Sequence, residues 1–237
     1  MVALVKGTWA LSPKRGLEPA HEQVVLQYQD TPSSSEKDAL RLTSDLCEGK
    51  PRTDVLVISP SDASRASEIQ GSTVSVAVGT FRFAKKVNGN WPFGPLSRTA
   101  PSRLQFAGTY DETWQQQRMP LLPADFDLRY HQHAPADQLP PHALSGDEPL
   151  RVDGLHAQLE GLTFHLPGKA VLITGNIRKE YFSTLAQLDT VQLWSDQPWL
   201  TLVWRLPIRP RQKIEEIGTV SVHMIRVPTA RELYGLA

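Results

Sequence analysis

The chain has one cysteine, Cys47, so no internal disulfide can form and a reducing compartment suits it best. It has no charge excess, because 25 Lys and Arg balance 25 Asp and Glu over 237 residues. Without a net field, nothing draws in nucleic acid or an anionic lipid surface from a distance. The basic segment at residues 205–213 is too small for a nucleic-acid patch. No apolar run approaches the roughly 20 residues needed to cross a bilayer, so no membrane insertion is expected. The apolar start Met1-Val2-Ala3-Leu4-Val5 is ended by Lys6, Gly7 and Thr8, short of a signal-peptide core. The expectation is a cytoplasmic protein. A glycine-rich phosphate loop, a Gly-x-Ser-x-Gly elbow and internal repeats are also missing. Cys47, between Leu46 and Glu48 with Lys50 as its one basic neighbour, reads as a buried or incidental thiol.

What is present is punctuation and β-rich sequence. Nineteen prolines and fifteen glycines cut the chain into short pieces. Between them lie strand-like runs at residues 3–11, 24–28, 53–59, 73–83, 158–166, 170–175, 190–194, 200–206 and 218–227. Asn88-Gly89 is a strong hairpin signal. The run at 200–206 has the β-branched and aromatic content of a central strand. Helical signals are few: residues 36–46 behind a Ser35 cap, a turn or short helix at 109–117, and a terminal turn at 229–236. The predicted fold is mainly β, an antiparallel β-sandwich or barrel-like core with few short helices. One domain over residues 1–237 is expected, with a subdivision near residue 100 as the alternative.

The densest stretch is GTYDETWQQQRMPLLPADFDLRYHQHAPADQ, residues 108–138. His131 and His133, two apart on an expected strand, would share a face, and Asp137 follows four residues later. This loosely resembles the ligand run of cupin oxygenases, which implies a metal-dependent enzyme as one alternative. Asp replaces Glu here, Pro135 interrupts the run, and no sequence signal fixes a third histidine. The plainer reading is two histidines leaving a strand into a proline-rich loop. The carboxylates also have plain readings. Asp111 is placed to cap the turn that contains Trp114. Asp125, after Pro123, suits a turn that bonds its own backbone. Asp127 and Arg129 alternate with Phe126 and Leu128, and Arg118 or Arg129 can pair with these aspartates. No catalytic residues and no cofactor are expected.

Gly108, Thr109, Tyr110, Asp111 and Trp114, then Arg118, Pro120, Leu122, Pro123, Asp125, Phe126 and Asp127, form a string with a resemblance. It resembles the central motif of a family of bacterial type VI secretion accessory proteins, long described as a domain of unknown function. The likeness extends to Val5-Lys6-Gly7-Thr8, to Ser44-Asp45-Leu46, and to Lys50-Pro51 with Thr53-Asp54-Val55-Leu56-Val57. It continues through Val76, Val78 and Gly79, Gly89 and Trp91, Leu188-Asp189-Thr190-Val191 and Leu202-Val203-Trp204-Arg205. One departure is the short connector at residues 92–105, where members usually carry a further segment with a Gly-Gly loop. The resemblance implies an adaptor or chaperone and not an enzyme. Its partners would be a secreted effector, a PAAR-type spike-tip protein, or both. A structural part of the secretion apparatus is the third alternative. Of the tryptophans, Trp204 is expected in the core and Trp199, after Pro198 in a loop, at a partner surface.

Overall fold

Strand β1 (Val2–Ser12) pairs antiparallel with β2 (Gly16–Pro19) on one side and with β12 (Trp199–Pro207) on the other. Next to β12 lies the longest described strand, β11 (Glu180–Trp194), which takes part in three ladders. Its first half pairs with β10 (Lys169–Ile177), which in turn pairs with β13 (Ile217–Arg226). Its second half pairs with β12 and, on the opposite edge, runs parallel to β5 (Asp54–Ile58). The β11–β12 register shifts between Leu188 and Thr190, a β-bulge of the kind that bends a strand and increases its twist. The resulting seven-stranded sheet curls into a half-barrel. A second, four-stranded antiparallel sheet has the order β7-β6-β8-β9, with β6 (Thr73–Val78), β7 (Phe81–Lys86), β8 (Pro149–Asp153) and β9 (Thr163–His165). This computed structural model describes residues 1–33, 39–177, 180–208 and 217–227.

Strand sequences explain the layering. In β6, Val74, Val76 and Val78 are buried and alternate with Ser75 and Ala77, the pattern of a sheet with one covered face. They meet Trp9, Val55, Val57, Leu193, Leu200, Leu202 and Trp204 of the larger sheet in one apolar core. By contrast, β5 and β12 are buried on both faces. The second face of β5, Leu56 and Ile58, packs with Leu42, Ala134 and Trp194 in a smaller cluster. That cluster lies under irregular segments, which therefore act as a third layer over the large sheet. β12 is central, between β11 and β1, as its composition predicts.

Several local expectations are corrected. Residues 73–83 are a hairpin, because Gly79 takes a positive φ and Val78 pairs with Phe81 across a two-residue turn. Asn88-Gly89 makes only an isolated bridge from Asn88 to Asn90 past the end of β7. Residues 24–28 are not a strand. There side chains replace a ladder: the Val24 amide donates to Thr8 Oγ1 and the Gln27 amide to the Asp45 carboxylate. The helix expected at 36–46 is instead a short strand, β4 (Leu40–Leu42), paired with β3 (Thr31–Pro32); Ser35 and residues 36–38 lie outside the described residues. The turn expected at 229–236 also lies outside them. Within 158–166 only β9 is strand, preceded by a 3-10 turn at Ala157–Leu159. Helix α1 (Ala63–Ile69), capped by Asp62, was not expected; α2 is Pro101–Leu104 and α3 is Glu112–Gln117.

Candidate functional site

The central motif forms a loop that is fastened to itself. Asp111 caps α3, its Oδ1 accepting the Trp114 amide at 2.8 Å. Asp125 bonds its own backbone amide, as its turn position predicts, and its stronger partner lies further off. It reaches back sixteen residues, accepting the Thr109 amide at 3.0 Å and the Thr109 hydroxyl at 2.7 Å. These bonds hold the Asp125 carboxyl below its ordinary value. Gly108 has φ +79°, and a Cβ there would lie 2.9 Å from Pro123 Cβ, so this closure requires glycine. Arg118 Nε donates to the Leu122 carbonyl, not to a carboxylate. Arg129 does pair with Asp127, at 2.9 and 2.6 Å, and its guanidinium lies 4.2 Å from the centre of the Phe106 ring. Tyr110 stacks edge-on against Trp114, and Tyr110, Met119 and Leu121 are exposed.

No strand runs through residues 126–133. Asp127 Oδ1 accepts the Arg129 amide and starts a 3-10 turn, Leu128–His131, so the two histidines take different environments. Both line a small cleft of about 40 Å³ with Cys47, Arg103 and Tyr130. Burial, and the nearby Arg103 and Lys50 cations, push the His131 imidazole down to about 4. His133 is buried and held well below its ordinary value by burial and then by Lys50. Asp137, on the expected ligand run, forms an ion pair with Lys85 at 2.9 Å instead. Among the described residues, no group of three His, Cys, Asp or Glu side chains is placed to hold a metal. Trp199 is the first residue of β12, not a loop residue, and it packs half-buried against the Leu56 cluster.

His133 leads into a buried ionic network. Its Nδ1 lies 3.5 Å from Asp54 Oδ2 and its Nε2 3.4 Å from Lys50 Nζ, which suits a neutral ring with the proton on Nδ1. Lys50 forms a 2.8 Å ion pair with Asp54 and donates to Thr190 Oγ1 at 2.6 Å. Thr190 donates to Asp189 Oδ1, whose other oxygen takes a short bond from Arg205 Nε. Arg205 Nη1 donates to the carbonyls of Asp45 and Cys47, and the Asp45 carboxylate pairs with Lys6 at 2.9 Å. Burial pushes the Lys50 ammonium down, but Asp54 and Asp189 outweigh it and hold the group above the ordinary lysine value. Burial raises the Cys47 thiol, in spite of Lys50 and Arg205.

A family model described as an uncharacterized protein conserved in bacteria (DUF2169) matches residues 1–91 and 84–205. The chain belongs to this family. No curated protein and no solved structure matches it. The second matched stretch contains the whole loop from Gly108 to Arg129 and ends on Arg205 of the network; the first contains Lys6, Asp45, Lys50 and Asp54.

The network links segments that lie far apart in the chain. Lys6 in β1, Asp45, Lys50 with Asp54, Asp189 with Thr190, and Arg205 come from five segments. Chemically it is balanced: each ammonium or guanidinium is matched by a carboxylate. Such a group fixes the positions of β1, β5, β11 and β12 relative to the 44–50 loop and to His133. Spacing did not reveal it. A usable signal was there, in single charged residues set inside apolar strand runs, as in Asp54-Val-Leu-Val-Ile and Leu-Val-Trp-Arg205-Leu.

Proposed function

We propose that this chain is an adaptor that binds a type VI secretion effector or a PAAR-type spike-tip protein and holds it for loading onto the secretion spike. The observation that carries the proposal is the convergence of residues on which the resemblance to those accessory proteins rests. They come from five separate segments and meet in one internally neutralised network that reaches His133. A network of that kind makes a rigid scaffold, and rigid scaffolds suit recognition by preformed surfaces. The central loop presents Tyr110, Met119 and Leu121 to solvent, as an adaptor surface requires.

The test is co-expression with a type VI secretion effector or PAAR-type spike-tip protein from the same genome. A stable complex on gel filtration, together with loss of effector export in a deletion strain, is the expected result. Unchanged effector stability and export in that strain would reject the adaptor role.

A further inference from the structure

The outward face of the four-stranded sheet is unusually bare. Ser75 and Ala77 on β6 and Ala84 on β7 point away from the core, where solvent-facing strand positions more often carry long side chains. Ala77 pairs with Arg82 on one side and with Arg151 on the other; Ser75 pairs with Ala84 and Asp153. The small residues leave a trough of about 490 Å³ with an arginine on each wall. Adjacent strands lie about 5 Å apart, so the two arginine backbones stand roughly 10 Å apart across β6. Both side chains are long enough to reach one group over Ala77.

The charges on this face are only partly matched. Arg151 Nε bonds Asp153 at 2.6 Å, but its terminal nitrogens make no hydrogen bond among the described residues. Arg82 is exposed and has no hydrogen bond or ion pair among them. Lys86 lies further along the same face of β7, opposite Thr73. Asp153, with Glu160 near Arg151, sets negative charge at one end.

We propose that this trough binds an acidic segment of a partner protein, with a carboxylate seated over Ala77 between Arg82 and Arg151. A planar carboxylate matches the guanidinium fork. β6 is paired on both edges, so recognition comes from side chains and not from strand addition. Asp153 and Glu160 oppose a polyanion with charge at every unit, whereas a peptide can space its carboxylates to avoid them. The inference rests on the adaptor reading for the partner's being a protein, and deepens it by naming the chemistry of the recognised segment.

The test is fluorescence anisotropy at low ionic strength with a short labelled peptide of alternating glutamate and alanine. Arg82→Glu touches no partner, and Ala77→Leu fills the floor without changing charge; thermal melts check that both variants fold. Saturable binding to the wild-type chain is expected, weakened about tenfold or more by Arg82→Glu and weakened also by Ala77→Leu. No saturable binding to the wild type, or binding that Arg82→Glu leaves unchanged, overturns the proposal. So does displacement of the peptide by single-stranded DNA or inorganic phosphate more effectively than by unlabelled peptide. If the effector still co-purifies with Arg82→Glu, the adaptor stands and the trough falls. If peptide binding depends on Arg82 but the protein captures no effector, the trough stands and the adaptor falls.

Discussion

Lys50 and Asp54 meet at 2.8 Å with side chains only 2% and 0% exposed. Pro51, Arg52 and Thr53 carry the chain between them, from the 44–50 loop into β5. The pair places a full charge of each sign beneath the segment that carries His133, whose amide also donates to Asp54 at 3.2 Å. Buried charges are tolerable only when paired, so the local energetics depend on the pair staying whole.

Asp54→Ala therefore strands the Lys50 ammonium, and urea unfolding should show a loss of about 3–5 kcal/mol. Replacing both partners by Met and Leu should recover a large part of that loss, giving a strong coupling in a double-mutant cycle. Additive losses would mean that the two residues act independently.

Acid should weaken the fold before the carboxylates titrate. The folded His131 pKa is about 4, against 6.5 for a free histidine. Between those values the unfolded chain takes a proton that the folded chain refuses, so stability falls as pH falls through that window. His131 alone contributes up to about 3 kcal/mol of this loss by pH 4. Urea midpoints between pH 7 and pH 5 should decline, and His131→Gln should flatten the decline by one proton's worth. His133 and His156, shifted in the same direction, keep the remaining slope.

Asp125→Ala removes both bonds to Thr109 and so opens the central loop at its neck. Amide hydrogen exchange should accelerate at Thr109 and through α3, while the core strands stay protected. Exchange spread evenly over the molecule would show that the loop is not a separate unit.

Two glycines with similar φ separate backbone strain from crowding. Gly154, at φ +77°, would place a Cβ 2.1 Å from the Thr73 carbonyl, whereas Gly161, at φ +73°, has nothing within 4 Å. Alanine at 161 should cost about 1 kcal/mol for the backbone alone. At 154 the cost should be at least about 2 kcal/mol greater, read from urea unfolding, because carbonyl and Cβ cannot share that space.

The features legible in the sequence were those set by near neighbours along the chain. Asp111 caps α3 because the amide it satisfies is three residues away. The alternation of β6 and the continuous apolar runs of β5 and β12 announced one covered face or two. The motif string pointed to a bacterial family of unknown function, and an uncharacterized conserved bacterial family is what the chain matches. Where local signals competed, neighbours gave the wrong answer. Asn88-Gly89 suits a tight turn, but the hairpin closed at Gly79-Thr80, where the turn pairs Val76 with Phe83 and puts both in the core.

By itself, then, the sequence determined a mainly β protein with few short helices, a capped central loop and Trp204 in the core. Tertiary structure alone decided which charges would be buried together. Asp54 and Arg205 stand out as charges in apolar runs, but no local pattern says that they join Lys6, Asp45, Lys50 and Asp189, because a charge's cost depends on what lies within a few ångströms in space. It also kept His131 and His133 from sharing a strand face, since a turn begun by Asp127 replaced the strand that would have aligned them. Long-range pairing sets such environments, and no local pattern of residues encodes it.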